Sequence, residues 1–173
     1  MTIAQTEMRQ LKINLRWMIR RDMPEVLEIE RGSFEFAWIE EDFLNCMRQR
    51  NYIGMVAEHN ERVVGFMIYE LHKTKLRVLN FAVHPDCRRY GVGSQMVAKL
   101  VSKLSLKGRS RIVLEVRETN LPAQFFFRSL EFQATTVLRN FYEDSAEDAY
   151  LMHYRFSPPG DVAVNRIAQY ERA

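Results

Sequence analysis

LRVLNFAVHPDCRRYGVGSQMVAKLVSKL, residues 76–104, decides how the rest of the chain is read. Leu76 to Val83 reads as a strand closed by Pro85. From Val92 the apolar period changes: Val92, Met96, Leu100 and Leu104 fall four apart, flanked by Val97 and Val101. That spacing predicts an amphipathic helix of about four turns, with Gly108 as its C′ residue. Between strand and helix lies Arg88-Arg89-Tyr90-Gly91-Val92-Gly93-Ser94. A helix start leaves backbone N–H groups unpaired and carries the positive end of the dipole, so it suits a phosphate. Gly91 and Gly93 admit close backbone approach, and Arg88 and Arg89 add positive charge at the same mouth. Two glycines after a strand also serve as a plain turn, and two arginines as a solvated face. The whole arrangement of strand, Val-x-Pro, paired arginines, Gly-x-Gly and long helix favours a ligand that bears a diphosphate. It is not a Walker loop, because no Gly-Lys-Ser/Thr follows. It is not the dinucleotide fingerprint, whose third glycine would fall at Met96.

Outward from this segment the elements alternate. Leu15 to Arg20 reads as a strand. Asp22 is the expected N-cap of a helix with Pro24 in its first turn and Glu25 three residues on. A second helix is expected over Ile39 to Arg48. Tyr52 to Glu58 and Arg62 to Leu71 read as a hairpin around His59-Asn60-Glu61. Downstream, Arg111 to Val116 reads as a strand, Pro122 to Leu130 as a short helix, and Ala134 to Tyr142 and Ala149 to Phe156 as two more strands. The order β-α-α-β-β-β-α-β-α-β-β predicts a mixed α/β sheet with helices on its faces. Residues 1–14 read as a polar leader, 15–156 as one domain and 157–173, after Ser157-Pro158-Pro159-Gly160, as a tail.

Composition excludes more than it assigns. The chain has 173 residues, 47% of them hydrophobic and 12% aromatic, which suits one folded domain and rules out global disorder. Its 25 basic and 22 acidic residues are too balanced to predict direct nucleic-acid binding. A sequence pI near 8.9 is compatible with an anionic small ligand. Cys46 and Cys87 lie far apart, and His59, His72, His84 and His153 are equally scattered, so neither a disulfide scaffold nor a metal site is expected. The start lacks a secretory h-region, and no stretch approaches the roughly 18 apolar residues of a membrane helix. A cytoplasmic protein with no membrane partner is the expectation.

The string Arg-Arg-Tyr-Gly-Val-Gly at 88–93 resembles the Arg/Gln-x-x-Gly-x-Gly/Ala acetyl-CoA loop of the GNAT-superfamily N-acetyltransferases. LEVRETNLPAQFFFRSLEF, residues 114–132, and LRNFYEDSAEDAYLM, residues 138–152, are similar to the RimI branch, which acetylates the N-terminal alanine of a ribosomal protein. The likeness spans about Leu15 to Phe156 and is strongest from Asn80 onward. It implies a central, mostly antiparallel sheet flanked by helices, and acetyl-CoA as cosubstrate with no metal. Backbone groups of Phe81, Ala82 and Val83 would hold the pantetheine arm. The pyrophosphate would lie on Arg89, Tyr90, Gly91, Val92, Gly93 and Ser94, with Arg88 as nearby charge. Asn120 would hydrogen-bond the cofactor arm, and Glu115 matches the family's general base. The resemblance further implies a protein or peptide N-terminus, ribosomal or other, as acceptor.

Glu115 also satisfies the chemistry. Acyl transfer needs a neutral amine, and an α-amine, with a pKa of about 8 against about 10.4 for lysine, is easier to deprotonate by roughly 3 kcal/mol. Read alone, Glu115 is more simply a strand carboxylate paired with Arg117 or Arg111, and only the surrounding motif reverses that. The family's general acid, a tyrosine, falls at Phe127, which has no proton to give and is instead expected beside the cofactor. Tyr142, at the second tyrosine of the family's Asn-Tyr-Tyr, is the candidate substitute, or else a packed strand aromatic. The family's glycine before the final Phe is Glu131 here, and its Pro-Trp-Ser acceptor loop is Ala37-Trp38-Ile39. Acetylation of lysine side chains or small amines, and a CoA-binding module without catalysis, remain alternative readings.

Overall fold

Residues 9–158 are described by a computed structural model; the leader through Met8 and the tail from Pro159 lie outside the described residues. Seven strands form one sheet: β1 (Asn14–Trp17), β2 (Tyr52–His59), β3 (Arg62–Leu71), β4 (Lys75–Val83), β5 (Arg111–Arg117), β6 (Gln133–Leu138) and β7 (Ala149–Arg155). Their order is β1-β2-β3-β4-β5-β7-β6. Every neighbouring pair is antiparallel except β4 and β5. A parallel pair needs a crossover, and the helix predicted after the glycine loop, α3 (Val92–Val101), supplies it. The sheet is thus mixed, as the sequence order implies, and mostly antiparallel, as the family resemblance implies.

Helices cover both faces. On one, α3 and α4 (Leu121–Ser129) bury Met96, Leu100 and Phe127 against Leu76, Val78, Ile112 and Leu114. On the other, α1 (Met23–Ser33) and α2 (Glu40–Met47) bury Val26, Ile29 and Phe43 against Val56, Phe66 and Ala82. The β2–β3 hairpin turns where expected, with Asn60 and Glu61 both at positive φ (48° and 61°), the conformation a two-residue turn between right-twisted strands requires. Both cysteines are free thiols. Among the described residues, no helix is long and apolar enough to cross a membrane.

Four local readings change. The first strand stops at Trp17, and a short 3₁₀ turn, Arg20–Asp22, precedes α1. Asp22 sits at the helix entrance, but its carboxylate does not cap it. It accepts from Ile19 N–H at 2.8 Å and from both terminal nitrogens of Arg16 at 2.8 and 2.9 Å. Second, α3 ends at Val101. Lys103 and Leu104 N–H groups bond back three residues, to Leu100 and Val101, so Leu104 reaches the core from a tight turn and Gly108 lies beyond in the loop. Third, β6 stops at Leu138, because Asn140 takes a left-handed φ of 48° and turns the chain. Fourth, the predicted leader is tied to the domain through Leu11, whose N–H bonds Tyr90 O at 2.9 Å, and Leu11 and Ile13 pack on the core.

Burial works against the Asp22 charge, but the hydrogen bonds from Arg16 and Ile19 prevail and hold its carboxyl below the usual range. A depressed carboxyl contributes stability that is complete above the unfolded value of about 3.9 and is lost as pH falls through the folded value. Asp22→Asn should therefore lower stability by about 1–3 kcal/mol at neutral pH, with the deficit shrinking in acid below about pH 4. Thermal melts of both proteins across that range check this; a deficit that stays constant contradicts it.

Candidate active site

The site begins where two strands part. β4 and β5 stay in register from Lys75↔Arg111 to Val78↔Leu114, and then pairing stops although both strands continue. At the same level β4 bulges: Ile68 pairs with Asn80 and Tyr69 with Val78, leaving Leu79 as the extra residue. A bulge bends and twists its strand, so it carries the rest of β4 away from β5 and opens a fork. The bulge also reverses the alternation, so Val78 and Phe81 both belong to the α3–α4 side.

Beyond the fork, β4 presents backbone to open space. His84 N–H donates to Val64 O at 2.8 Å, extending the antiparallel ladder one step past Gly65↔Val83. Such ladders alternate, so Asn80 and Ala82 bond to β3 while the amide groups of Phe81 and Val83 face the gap. The Val83 carbonyl is already taken there by Arg88 Nε, at 3.1 Å. Of the expected trio, Phe81 and Val83 thus offer polar backbone to a ligand, whereas Ala82 turns its amide to Phe66 and its side chain to the α1–α2 core.

At the end of β4 a 3₁₀ turn, Pro85–Cys87, leads into the loop. Arg89 and Gly91 both have positive φ (65° and 74°), and Gly91 is the N-cap of α3. Gly91 has no side chain to cap with, and the first helical bond runs from Gln95 N–H to Gly91 O at 3.2 Å. The N–H groups of Val92, Gly93 and Ser94 therefore open the helix as unpaired donors. A Cβ on Gly93 would lie 2.8 Å from Phe126 Cζ, which lets α3 approach the α4 aromatics closely. Arg89 and Tyr90 are exposed at the mouth. Arg88 is turned back, with Nη2 on Ser33 Oγ at 3.0 Å, and braces the loop against α1. This donor set of strand amides and helix-start N–H groups, with cations beside it, suits a pantetheine arm ending in a pyrophosphate.

A cavity of about 410 Å³ occupies the fork, lined by Glu30, Phe36, Trp38, Phe81, Glu115, Arg117, Asn120, Phe127, Tyr142 and Glu147, among others. Asn120 caps α4, its Oδ1 accepting from Ala123 N–H at 3.2 Å, so Nδ2 is the atom left for a ligand. Phe127 is buried in an edge-to-face cluster with Phe81, Phe126 and Phe132, and Phe125 alone of the three phenylalanines points outward. Glu131, where the family pattern has glycine, adopts a left-handed φ of 69°, which accounts for that glycine. Glu115 pairs with neither Arg117 nor Arg111. Its Oε1 takes two hydrogen bonds from Arg77 of β4, at 3.0 and 3.2 Å.

Arg117 is committed elsewhere. Its guanidinium lies 3.8 Å from the Tyr142 ring centroid and 4.9 Å from that of Phe36, and pairs with Asp144 at 2.6 Å and Glu147 at 3.5 Å. One cation thereby joins the α1–α2 loop to the β6–β7 loop across the cavity mouth. Tyr142 belongs to that second loop, not to a strand; its N–H bonds Glu147 O and its carbonyl accepts from Ala146 N–H. Burial, only partly offset by Arg117 and reinforced by Glu115, Asp144 and Glu147, pushes the Tyr142 hydroxyl up to about 12. On the opposite wall Glu30, 1% exposed, accepts from Trp38 N–H at 2.8 Å and from Asn80 Nδ2 at 2.9 Å. Burial raises its carboxyl, and those two hydrogen bonds oppose the rise. Among the described residues, no group of three or more His, Cys, Asp or Glu is placed to hold a metal ion.

Arg77, Glu30 and Phe36 were not legible as site residues, since each reaches the cavity through pairings remote in sequence. Comparisons with known proteins identify the family. The pattern of the acetyltransferase (GNAT) family matches residues 16–132. The chain is 32% identical over 133 residues to the ribosomal protein bS18-alanine N-acetyltransferase of Escherichia coli (strain K12), covering 76% of this chain and 89% of that protein. The crystal structure of the ribosomal-protein-S18-alanine N-acetyltransferase from Escherichia coli superposes with a TM-score of 0.74 at 28% identity, over 87% of this chain and 98% of that one. Arabidopsis thaliana NAA60, solved in complex with acetyl-CoA, shares the fold, with a TM-score of 0.73 at 19% identity over 84% of this chain and all (100%) of that one. The chain belongs to the GNAT family and is an N-acetyltransferase.

Proposed function

We propose that this enzyme transfers an acetyl group from acetyl-CoA to the N-terminal α-amine of a protein, with a ribosomal protein as the first candidate acceptor. The observation that carries the reading is the fork itself, whose cavity is lined by Glu115 and by β4 as far as Phe81, with the open start of α3 following the end of that strand. The likeness to the Escherichia coli alanine N-acetyltransferase supports the acceptor. Such an enzyme would work in the cytoplasm.

Acetyl-CoA supplies an activated thioester. Glu115, directly or through one water, takes the proton that the amine must lose as it attacks. The Phe81 and Val83 N–H groups face the gap where the thioester carbonyl oxygen would lie, and stabilise the charge that grows on it. Neither Cys46 nor Cys87 lines the cavity, which supports direct attack rather than passage of the acyl group through a thiol. Phe127 contributes an apolar wall. Tyr142, on the same cavity, stays protonated throughout the working range and is the proton donor we assign for the departing thiolate. Because that thiolate is a tolerable leaving group (thiol pKa about 8.5), Tyr142→Phe is expected to lower kcat by only about tenfold, with unchanged KM for acetyl-CoA. An unaltered kcat in steady-state assays removes Tyr142 from this role.

A bisubstrate analogue tests the acceptor. CoA joined through an acetyl bridge to the α-nitrogen of an alanine-started peptide should bind at least about 100-fold tighter than either half alone. Equal affinity for a conjugate made through a lysine ε-nitrogen would refute the α-amine reading. Binding of CoA with no gain from either peptide would favour a module without catalysis.

A further inference from the structure

The candidate base has a partner that neither its motif nor its neighbours in sequence supply. Arg77 and Glu115 stand on adjacent parallel strands; the register sets Arg77 opposite Val113, and Glu115 is the first β5 residue beyond the last paired position, Val78↔Leu114. The Arg77 side chain reaches forward along the sheet and puts Nε and Nη2 on the same carboxylate oxygen, Oε1, at 3.2 and 3.0 Å. Among the described residues, Oε2 accepts no hydrogen bond. The two other arginines of β5 do not compete: Arg117 is held by Asp144 and Glu147, and Arg111 makes no ion pair among the described residues. The Glu115 side chain is 15% exposed and that of Arg77 34%, so the pair is only partly screened by solvent.

A fork-shaped guanidinium normally engages both oxygens of a carboxylate. Here it engages one, from the side of the closed part of the sheet. That grip fixes the Glu115 rotamer and leaves Oε2 as the oxygen open to a ligand in the cavity. A carboxylate free to rotate would spend part of its time aimed away from an incoming amine, and misplacement of a reacting group is costly in rate. We propose that Arg77 is the positioning residue of this site, holding Oε1 so that Oε2 meets the acceptor amine. The proposal rests on the reading of Glu115 as general base.

Arg77 also ties β4 to β5 at the vertex of the fork, and a purely structural tie predicts a different outcome. Kinetics of Arg77→Ala and Arg77→Lys, each alone and combined with Glu115→Gln, separate the two. Positioning predicts that Arg77→Ala lowers kcat about 10- to 100-fold with unchanged KM for acetyl-CoA, that Arg77→Lys recovers part of the loss, and that Arg77→Ala adds nothing once Glu115 is Gln. Should the alanine variant fail to fold, Arg77→Gln, which keeps most of the stem, serves the same comparison. An unchanged kcat, or an equal loss with and without Glu115, overturns the proposal. Full activity of Glu115→Gln alone would instead overturn the base assignment, and the role of Arg77 with it.

Discussion

Glu115→Gln is expected to lower kcat for acetylation of an α-amine peptide by about 10²–10⁴-fold, the usual range for loss of a general base. The substitution keeps the shape and the backbone of β5, so the β4 amides and the start of α3 are untouched, and KM for acetyl-CoA should not change. Gln can still accept from Arg77, so the vertex of the fork persists and the loss reads proton transfer rather than unfolding. The deficit should be greatest below the pKa of the amine, where most acceptor arrives protonated, and should narrow as pH rises past about 8. Steady-state rates across that range, with melting curves for both proteins, check this. A rate within error of wild type at neutral pH would refute the assignment.

Arg117→Ala should strike the other substrate. The guanidinium lies over the Tyr142 ring and near that of Phe36 and pairs with Asp144 and Glu147, so its loss would release both loops at the cavity mouth, where we place the acceptor. It also leaves the carboxylates unneutralised; Asp144 and Glu147 lie below the usual range chiefly through hydrogen bonds from Arg117 and Thr119 respectively. Charge-assisted bonds and a cation over an aromatic ring contribute about 1–3 kcal/mol, which corresponds to about a 5- to 150-fold rise in KM for the peptide. KM for acetyl-CoA should stay constant, because Arg117 does not touch the α3 start. If acetyl-CoA KM rises instead, Arg117 serves the cofactor and not the acceptor. Lys at this position should not substitute fully, since an ammonium can neither stack flat on an aromatic ring nor reach two carboxylates with a planar fork.

What the sequence reveals follows from how local each feature is. The start of α3 is readable because Gly91, Gly93 and the strand before them act within one turn of chain. The fork is not, because it depends on which strand lies next to β4. The bulge that opens it, at Leu79, carries no glycine or proline to mark it. Glu115 is readable through its motif, but its partner is not: Arg77 stands 38 residues away and meets it only through the parallel register. The stretch from Ala134 to Tyr142 alternates well enough to suggest one long strand, yet Asn140 tolerates a left-handed φ and turns the chain there. That turn is what moves Tyr142 from a sheet face to the mouth of the cavity. Leu104 misled in the opposite way, since its four-residue spacing continues a helical stripe past the helix end and still reaches the core.

Acetyl transfer to a protein N-terminus in this fork is tested most directly by locating the acetyl group. The enzyme would be incubated with acetyl-CoA and two peptides, one with a free N-terminal alanine and one blocked at its N-terminus with an internal lysine, and the products mapped by mass spectrometry. The expected product is acetylated at the alanine α-nitrogen, and Glu115→Gln forms it about 10²–10⁴-fold more slowly. Modification confined to the internal lysine would contradict it.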